Sequence, residues 1–506
     1  MLSAAGRLVS RSQSAGTARK PSLRSNSSQT AQLTSLKSVR TIVTDYDLKK
    51  IYTSRQLYTI FNTLERAKSI DRPQNIGANV IATRLNQPLH LNELKDALDF
   101  VQAKHTKLQF AAKTILEGGG VYGKVDSALP LEIEERQEDD EAHLQVAMET
   151  FLQRPMTEHL MKVKVLAAPE SCDIVFGVSN GAADVASTGM LVDEVMARYA
   201  QLIKDPSKAA TTVETAPIVD ELANIFPSST KSSFLGWKGI MASMRSFTNS
   251  TKALQAQSPF RFPTDPSASS FFTLELSPEL TQAIEHNAAT QGTDLLSAIA
   301  AGTSLASKKK LFKLSQEIQQ DINVDFNITH DLRSAGFMPP IPNDTMTLAE
   351  IPSYHSVLSG NTSGDRSVWD VAKDIFKSTQ DTVASDSLFD AYHFSVTAAS
   401  VRARKLGSIP HPPFDFQNAG NLYISPRTIE QLAIDDIRVA ETALPGTCKV
   451  IIGKFNRKLQ LSFNFQDHSM SAQEAEAVTD VALELLRDQP SATNATVAEE
   501  QTTQTN

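Results

Sequence analysis

The stretch DIVFGVSNGAADVASTGMLVDEVMARY, Asp173 to Tyr199, sets the organisation of the rest of the chain. It opens with an apolar run, Ile174, Val175, Phe176 and Val178, of the length and β-branched character of a buried strand. It breaks at Ser179-Asn180-Gly181 and resumes with Met190, Leu191, Val192, Val195 and Met196 at the spacing of an amphipathic helix. Ser187 or Thr188 is the expected cap of that helix. A strand ending at a turn before a helix projects loop side chains into any adjoining cleft, so the turn is a place for chemistry. It holds one carboxylate, Asp184, and no histidine.

Outward from this stretch, both flanks are periodic. Tyr46 to Lys68 has helical spacing and Ile76 to Leu85 has strand character. Leu91 to His105 is amphipathic, and a strand is expected around Leu108 to Leu116. Gly118-Gly119-Gly120 is a turn; a phosphate cradle would need a following helix and a Lys-Ser/Thr pair, which are missing. The acidic run Glu132–Glu141 is expected as a solvated loop or helix face, leading into a helix that ends near Phe151. Met161 to Ala167 alternates as a strand.

After Asp205 serine, threonine and proline accumulate. Within this linker Phe234, Trp237, Ile240, Met241, Met244 and Phe247 fall at helical spacing among Lys231, Lys238, Arg245 and Lys252. Such a basic amphipathic segment either lies on an anionic membrane surface or packs as a crossover helix between domains. Periodicity returns with a strand at Phe271–Leu276, helices at Pro278–Ala289 and Leu295–Leu311, and a strand at Ile322–Ile328 that runs into Asp331-Leu332-Arg333. Helices at Val368–Ala384 and Phe389–Arg404 follow. Three strands are then expected at Gly420–Ile424, Cys448–Phe455 and Leu459–Phe465, before a helix at Ala472–Arg487.

The order of these features resembles the superfamily of CoA- and carrier-dependent acyltransferases with the chloramphenicol-acetyltransferase-like fold. That group includes condensation domains, alcohol acetyltransferases and polyketide-associated acyltransferases. Lys104-His105-Thr106-Lys107-Leu108-Gln109 resembles its Arg-His-Pro-x-Leu-Arg-like segment, and Ser179-Asn180-Gly-Ala-Ala-Asp184-Val185 occupies the place of its His-His-x-x-x-Asp-Gly motif. Asp331-Leu332-Arg333 is similar to its strand-end arginine, and Gln417-Asn418-Ala419-Gly420 to its Ser-Asn-x-Gly strand.

The resemblance implies an α+β fold of two subdomains forming a V around a central cleft or tunnel. The expected limits are 45–205 and 265–489, joined by the linker 206–264, with a disordered tail at 490–506. It implies an acyl-CoA or acyl-carrier thioester as donor, an alcohol or amine as acceptor, and no bound cofactor. The second histidine of the motif would be the general base, which takes the acceptor's proton during attack on the thioester. Here that position is Asn180, and the preceding histidine is Ser179. Asp184, with Arg333 as its candidate partner, would hold the loop, while Ser179, Arg333, Asn418 and Gly420 would line the substrate site.

An amide has no useful basicity near neutral pH, and general base catalysis contributes ~10²–10⁴-fold. Loss of the standard mechanism is therefore expected. Val185 in place of glycine suggests a reshaped loop if a positive φ is wanted there. Two histidines are alternative bases: His411, the only His-x-x-x-Asp with Asp415, and His330 beside Asp331. His393 reads as a core or interface residue. His468 lacks the Asp-Gly that would follow it in dihydrolipoyl acyltransferases.

Composition narrows the setting. Apolar residues at 41% and charged residues at 21% fit a globular chain able to bury a large core. Two cysteines cannot build a disulfide framework or a cysteine zinc cluster. A net charge of −8 argues against nucleic acid. Residues 1–44 carry seven Lys and Arg and no acid, the composition of a mitochondrial transit peptide. Without those seven charges the remainder goes from −8 to −15. A mitochondrial location follows as an expectation. Three functions fit: a degenerate acyltransferase that retains a binding role, an active one with a relocated base, or a non-catalytic subunit of a mitochondrial assembly.

Overall fold

The computed structural model describes residues 77–115, 119–125, 127–136, 141–153, 156, 158–180, 182–210, 212–216, 268–310, 323–333, 346, 349–358, 360–361, 364–384, 414–443, 447–467 and 469–487. The expected transit segment, the helix at 46–68, the basic linker segment, the helix at 389–404, His393, His411 and His468 lie outside the described residues.

The first block runs β1 (Ala78–Leu85), α1 (Leu91–Lys104), a 3-10 turn at Thr106–Gln109, and the hairpin β2 (Phe110–Ile115) and β3 (Gly119–Lys124). It continues through β4 (Leu131–Glu135), α2 (Glu141–Gln153), β5 (Met161–Ala167), β6 (Cys172–Ser179) and α3 (Val185–Lys204). The second block holds β7 (Ser269–Leu276), α4 (Pro278–Thr290), α5 (Leu295–Lys310), β8 (Asn323–Asp331) and β9 (Glu350–Leu358). Then come β10 (Gly360–Asn361), β11 (Gly364–Asp365), α6 (Val368–Ala384), β12 (Phe414–Gly420) and α7 (Pro426–Gln431). β13 (Ile434–Glu441), β14 (Cys448–Phe455), β15 (Lys458–Gln466) and α8 (Ala472–Arg487) complete the described chain.

Two sheets organise these elements. The five-stranded sheet has the order β13-β1-β6-β5-β4 and the six-stranded sheet the order β7-β15-β14-β12-β8-β9. β6 is central in the first, antiparallel to β1 and β5, and every residue of it is buried. Its Ile174, Phe176 and Val178 face a core shared with α1 and α3, while Val175 meets Phe151 and Met148 of α2 on the other face. β13 comes from late in the chain yet pairs with β1 from Asn79↔Glu441 to Leu85↔Ile434, so the first sheet is completed by a strand of the second block.

The two faces of the six-stranded sheet differ in chemistry. Phe326, Ile328, Phe414, Phe416, Val450, Ile452, Leu461 and Phe463 form one apolar face, packed with Ile299 of α5, Trp369 of α6 and Leu486 of α8. Strand alternation puts Thr329, Asp331, Glu350, Asp415, Gln417, Lys449, Gln460, Ser462 and Asn464 on the other. That polar face is held against β13: Lys449 pairs with Glu441, Glu441 N donates to Asn464 Oδ1 (2.9 Å), and Gln460 Nε2 donates to Asp436 Oδ1 (3.3 Å). The polar side of the six-stranded sheet thus faces the five-stranded sheet at β13.

Several sequence expectations are corrected. Gly420–Ile424 is not a strand: β12 ends at Gly420, and Gly420 (φ +55), Leu422 (φ +52) and Tyr423 (φ +67) turn the chain instead. Residues 106–109 form a 3-10 turn ahead of β2. The acidic run begins in an edge strand, β4, with Glu132, Glu134 and Glu135 exposed. α3 is capped by Asp184, not by Ser187 or Thr188, and Val185 is its first helical residue with no positive φ, so no glycine is needed there.

Candidate functional site: the turn after β6 and its brace

The turn is built from both flanking elements. Ser179, the last residue of β6, is buried, and its carbonyl accepts from Ala182 N (3.0 Å) and Ala183 N (3.1 Å). Asn180 N donates to Gly77 O at 2.9 Å. The half-buried Asn180 side chain lies against Gly77 and the residue that follows β13. A Cβ built on Gly77 would fall 2.2 Å from Asn180 Nδ2 and 3.0 Å from Thr442 Cβ. Gly77 therefore makes the room that this amide occupies. From below, Asn79 Nδ2 donates to Ala183 O (2.9 Å) and Thr188 Oγ1 (3.2 Å), which fixes the turn against α3.

Asp184 holds the centre. Its Oδ1 accepts from Ser187 N at 2.7 Å, satisfying one of the orphan amides at the start of α3. Arg333, two residues beyond β8, reaches it with both guanidinium nitrogens: Nη1 to Oδ2 at 3.2 Å and Nη2 to Oδ1 at 3.1 Å. Nη2 also donates to Ser187 Oγ (2.6 Å) and Nη1 to Asp331 Oδ1 (3.0 Å). Ala349 N adds a bond to Asp184 Oδ2 at 2.6 Å. Both side chains are buried, 3% exposed for Asp184 and 7% for Arg333, so solvent screens this pair little. Burial works against the guanidinium charge, but Asp184 and Asp331 outweigh it and raise the Arg333 pKa.

A second carboxyl meets the same helix end. Glu350 Oε1 accepts from Ala186 N (3.1 Å) and Gln417 Nε2 (2.6 Å). Burial, with Asp184 nearby, pushes its pKa up to about 8. Tyr423 is driven well above the usual phenol range by burial and by Glu350, Asp184 and Asp331. It crosses onto α3, where a Cβ on Gly189 would fall 2.1 Å from Tyr423 Cβ. From the first block, the buried Lys107 sends Nζ to Met346 O at 2.5 Å. Burial lowers its pKa to about 7, with Arg333 adding to and Asp184 opposing that shift.

The structure joins Asp184 and Arg333 at the end of the turn that Ser179 and Asn180 begin, and gives the other candidates partners elsewhere. Asn418 is exposed, and its Oδ1 accepts from Gly420 N (2.9 Å), a local turn bond. His330 is not aimed at the turn: its Nε2 bonds Ser353 Oγ (2.6 Å), which bonds His355 Nε2 (2.6 Å), whose Nδ1 bonds Ser378 Oγ of α6 (2.9 Å). Burial lowers both histidine pKa values to about 4, with His330 adding to the shift of His355. A base that weak accepts a proton poorly at neutral pH. His105 is taken up by Glu194 of α3 at 2.7 Å, beside Lys104 at 2.6 Å, and so joins α1 to α3.

Asn79, Glu350 and Tyr423 carry no sequence signal as site residues, because their partners are far away in the chain. Lys107 and Gln417 lie in two of the segments that carry the resemblance, but the sequence does not single them out there. Among the described residues no cluster of three His, Cys, Asp or Glu could hold a metal, and no helix is long and apolar enough to cross a membrane.

Neither a protein-family model nor a curated protein sequence matches this chain. Solved structures do. Polyketide synthase associated protein 5 from Mycobacterium tuberculosis superposes with a TM-score of 0.60 at 14% identity, covering 87% of this chain and 99% of that one. The trichothecene 15-O-acetyltransferase from Fusarium sporotrichioides gives 0.64 at 11% identity, covering 86% and 94%. The first condensation domain of the calcium-dependent antibiotic synthetase gives 0.59 at 14% identity, covering 87% and 97%. At these identities the likeness is one of fold. With the two sheets and the Asp184–Arg333 brace already described, the chain has the two-subdomain, chloramphenicol-acetyltransferase-like fold of the CoA-dependent acyltransferases.

Proposed function

We propose that the chain is a catalytically degenerate member of this fold group that binds an acyl thioester, as acyl-CoA or on an acyl carrier, between its two blocks without turning it over. One observation carries the reading: the position of the general base holds Asn180, while the ion pair that shapes the same turn is fully built. An amide can orient an acceptor or donate to an oxyanion but cannot take its proton. The polar face that carries Thr329, Glu350, Asp415 and Gln417 supports binding of a polar thioester. The weakly basic, internally bonded His330 counts against a relocated base in the described residues. The acid-free basic segment 1–44 supports a mitochondrial address.

The test uses purified protein with acetyl-CoA and longer acyl-CoAs and a panel of alcohols and amines, with binding read by calorimetry and free CoA by thiol titration. Saturable binding with at most one equivalent of CoA released per chain is the expected result. Sustained turnover that survives Asn180→Ala and disappears with His411→Ala would establish the active alternative instead.

A further inference from the structure

We infer that the outer edge of β4 is a docking site for a basic, extended segment of a partner protein, which adds to the five-stranded sheet as a further strand. β4 stands at the end of that sheet, beyond β5 and away from β6 and its turn, and pairs only with β5 among the described residues. The pairing is parallel and unbroken from Leu131↔Val163 to Glu135↔Ala167. Val163 N donates to Pro130 O (2.9 Å) and Arg136 N donates to Ala167 O (2.8 Å), so the even-numbered residues carry the ladder. The N–H and C=O groups of Leu131, Ile133 and Glu135 therefore point away from β5, and nothing among the described residues takes them up.

The other edges of the two large sheets are each blunted. At β13, Glu441 N donates to Asn464 Oδ1 of β15 (2.9 Å). At β7, Gln145 Nε2 of α2 donates to Phe271 O (3.0 Å). β9 contains Pro352, which has no N–H to offer an incoming strand. β4 has neither proline nor bulge, and Ile133 at its middle is 41% exposed. An open strand edge of this kind is a template for another chain.

The side chains decide which chain. Glu132, Glu134 and Glu135 are exposed, and Lys164 of β5 meets Glu134 at 2.6 Å, which leaves the strand net negative. A second copy paired antiparallel about Ile133 would set Glu132 opposite Glu134, and like charges directly opposite destabilise a sheet. A segment that alternates Lys or Arg with β-branched residues fits instead. Its cations lie beside Glu132 and Glu134 on one face, and its apolar side chain lies beside Ile133 on the other. Main-chain hydrogen bonds supply the affinity of such a contact and the alternation supplies its specificity.

The experiment titrates the full chain with a blocked, fluorescent peptide of alternating lysine and valine, read by anisotropy, with a glutamate–valine peptide as the control. Saturable binding of the lysine peptide alone is expected, together with slower deuterium uptake across Leu131–Glu135. Ile133→Pro removes the central outward N–H without touching the ladder to β5, so affinity should fall by at least about tenfold at unchanged circular dichroism. Glu132→Gln combined with Glu134→Gln should weaken binding about fivefold. Should these variants not fold, the wild-type chain decides with the lysine peptide N-methylated at every residue, which keeps the charges and has no main-chain N–H to donate. Loss of binding is then expected. Equal binding of the methylated peptide, or binding indifferent to Ile133→Pro, is charge attraction without strand pairing and overturns the inference, as does absence of binding at millimolar peptide. A dimer that dissociates with Ile133→Pro in sedimentation would give the edge to a second copy and overturn it as well.

Discussion

Breaking the Asp184–Arg333 brace should destabilise the protein in a way that identifies it as a buried pair. Asp184→Ala removes the cap of α3, worth about 1 kcal/mol. It also leaves a guanidinium that is 7% exposed with Asp331 as its remaining carboxylate, and losing one partner of a buried pair costs roughly 3–5 kcal/mol. The total is about 4–6 kcal/mol. Arg333→Met should cost less, about 3 kcal/mol, because Asp184 keeps the amides of Ser187 and Ala349 as donors. The double variant should fall short of the sum by at least about 1.5 kcal/mol, the coupling expected of contacting residues. Denaturant unfolding would be followed by far-UV circular dichroism and by the fluorescence of Trp369, which is buried in the second core. Single-variant losses below about 1 kcal/mol, or strict additivity, would mean that the pair behaves like a solvated surface bridge and would refute the reasoning.

Other outcomes follow from single features. His330 and His355, both held near pKa 4, are neutral in the folded protein at pH 7 and protonate only below their unfolded value of about 6.5. Their contribution to stability is complete above pH 6.5 and is lost as pH falls towards 4, since the unfolded chain binds more protons in that window; a flat unfolding midpoint from pH 7 to 4.5 would contradict this. Gly189→Ala should cost about 1–3 kcal/mol by pushing Tyr423 off α3, and Tyr423→Gly, which removes the Cβ that the new methyl meets, should relieve most of it, measured as a rescued melting temperature. Asp173→Asn, at the far end of β6, breaks bonds to Arg84 (2.8 Å) and Arg136 (2.6 Å) and should destabilise by about 3 kcal/mol, yet leave thioester affinity unchanged in calorimetry.

What sequence made legible was local. β6 and α3 were visible because an apolar run and a helical stripe meet at one turn, and Arg333 was visible through the resemblance of Asp331-Leu332-Arg333 to the strand-end arginine of the acyltransferase superfamily. β9 was hidden by Pro352, which argues against a strand interior but is tolerated because β9 is the edge of its sheet. β13 was hidden by Asp435 and Asp436, which interrupt its apolar alternation, and its place beside β1 is a tertiary fact that no periodicity encodes. Gly420–Ile424 looked like a strand because Leu422, Tyr423 and Ile424 are apolar, while the turn at Gly420, Leu422 and Tyr423 packs on α3 and β14: a Cβ on Gly453 would fall 2.0 Å from Leu422 Cδ2. Lys107, Glu350 and Gln417 were illegible as a site for the same reason, since each acquires its meaning from a partner in another part of the chain.

The most direct measurement of the central claim is a titration of the full chain with an acyl-CoA, in which bound thioester and released CoA are quantified in the same sample. The account predicts saturable binding with CoA release that ends at or below one equivalent per chain. Continuous release over many equivalents, or no binding at all, would contradict it.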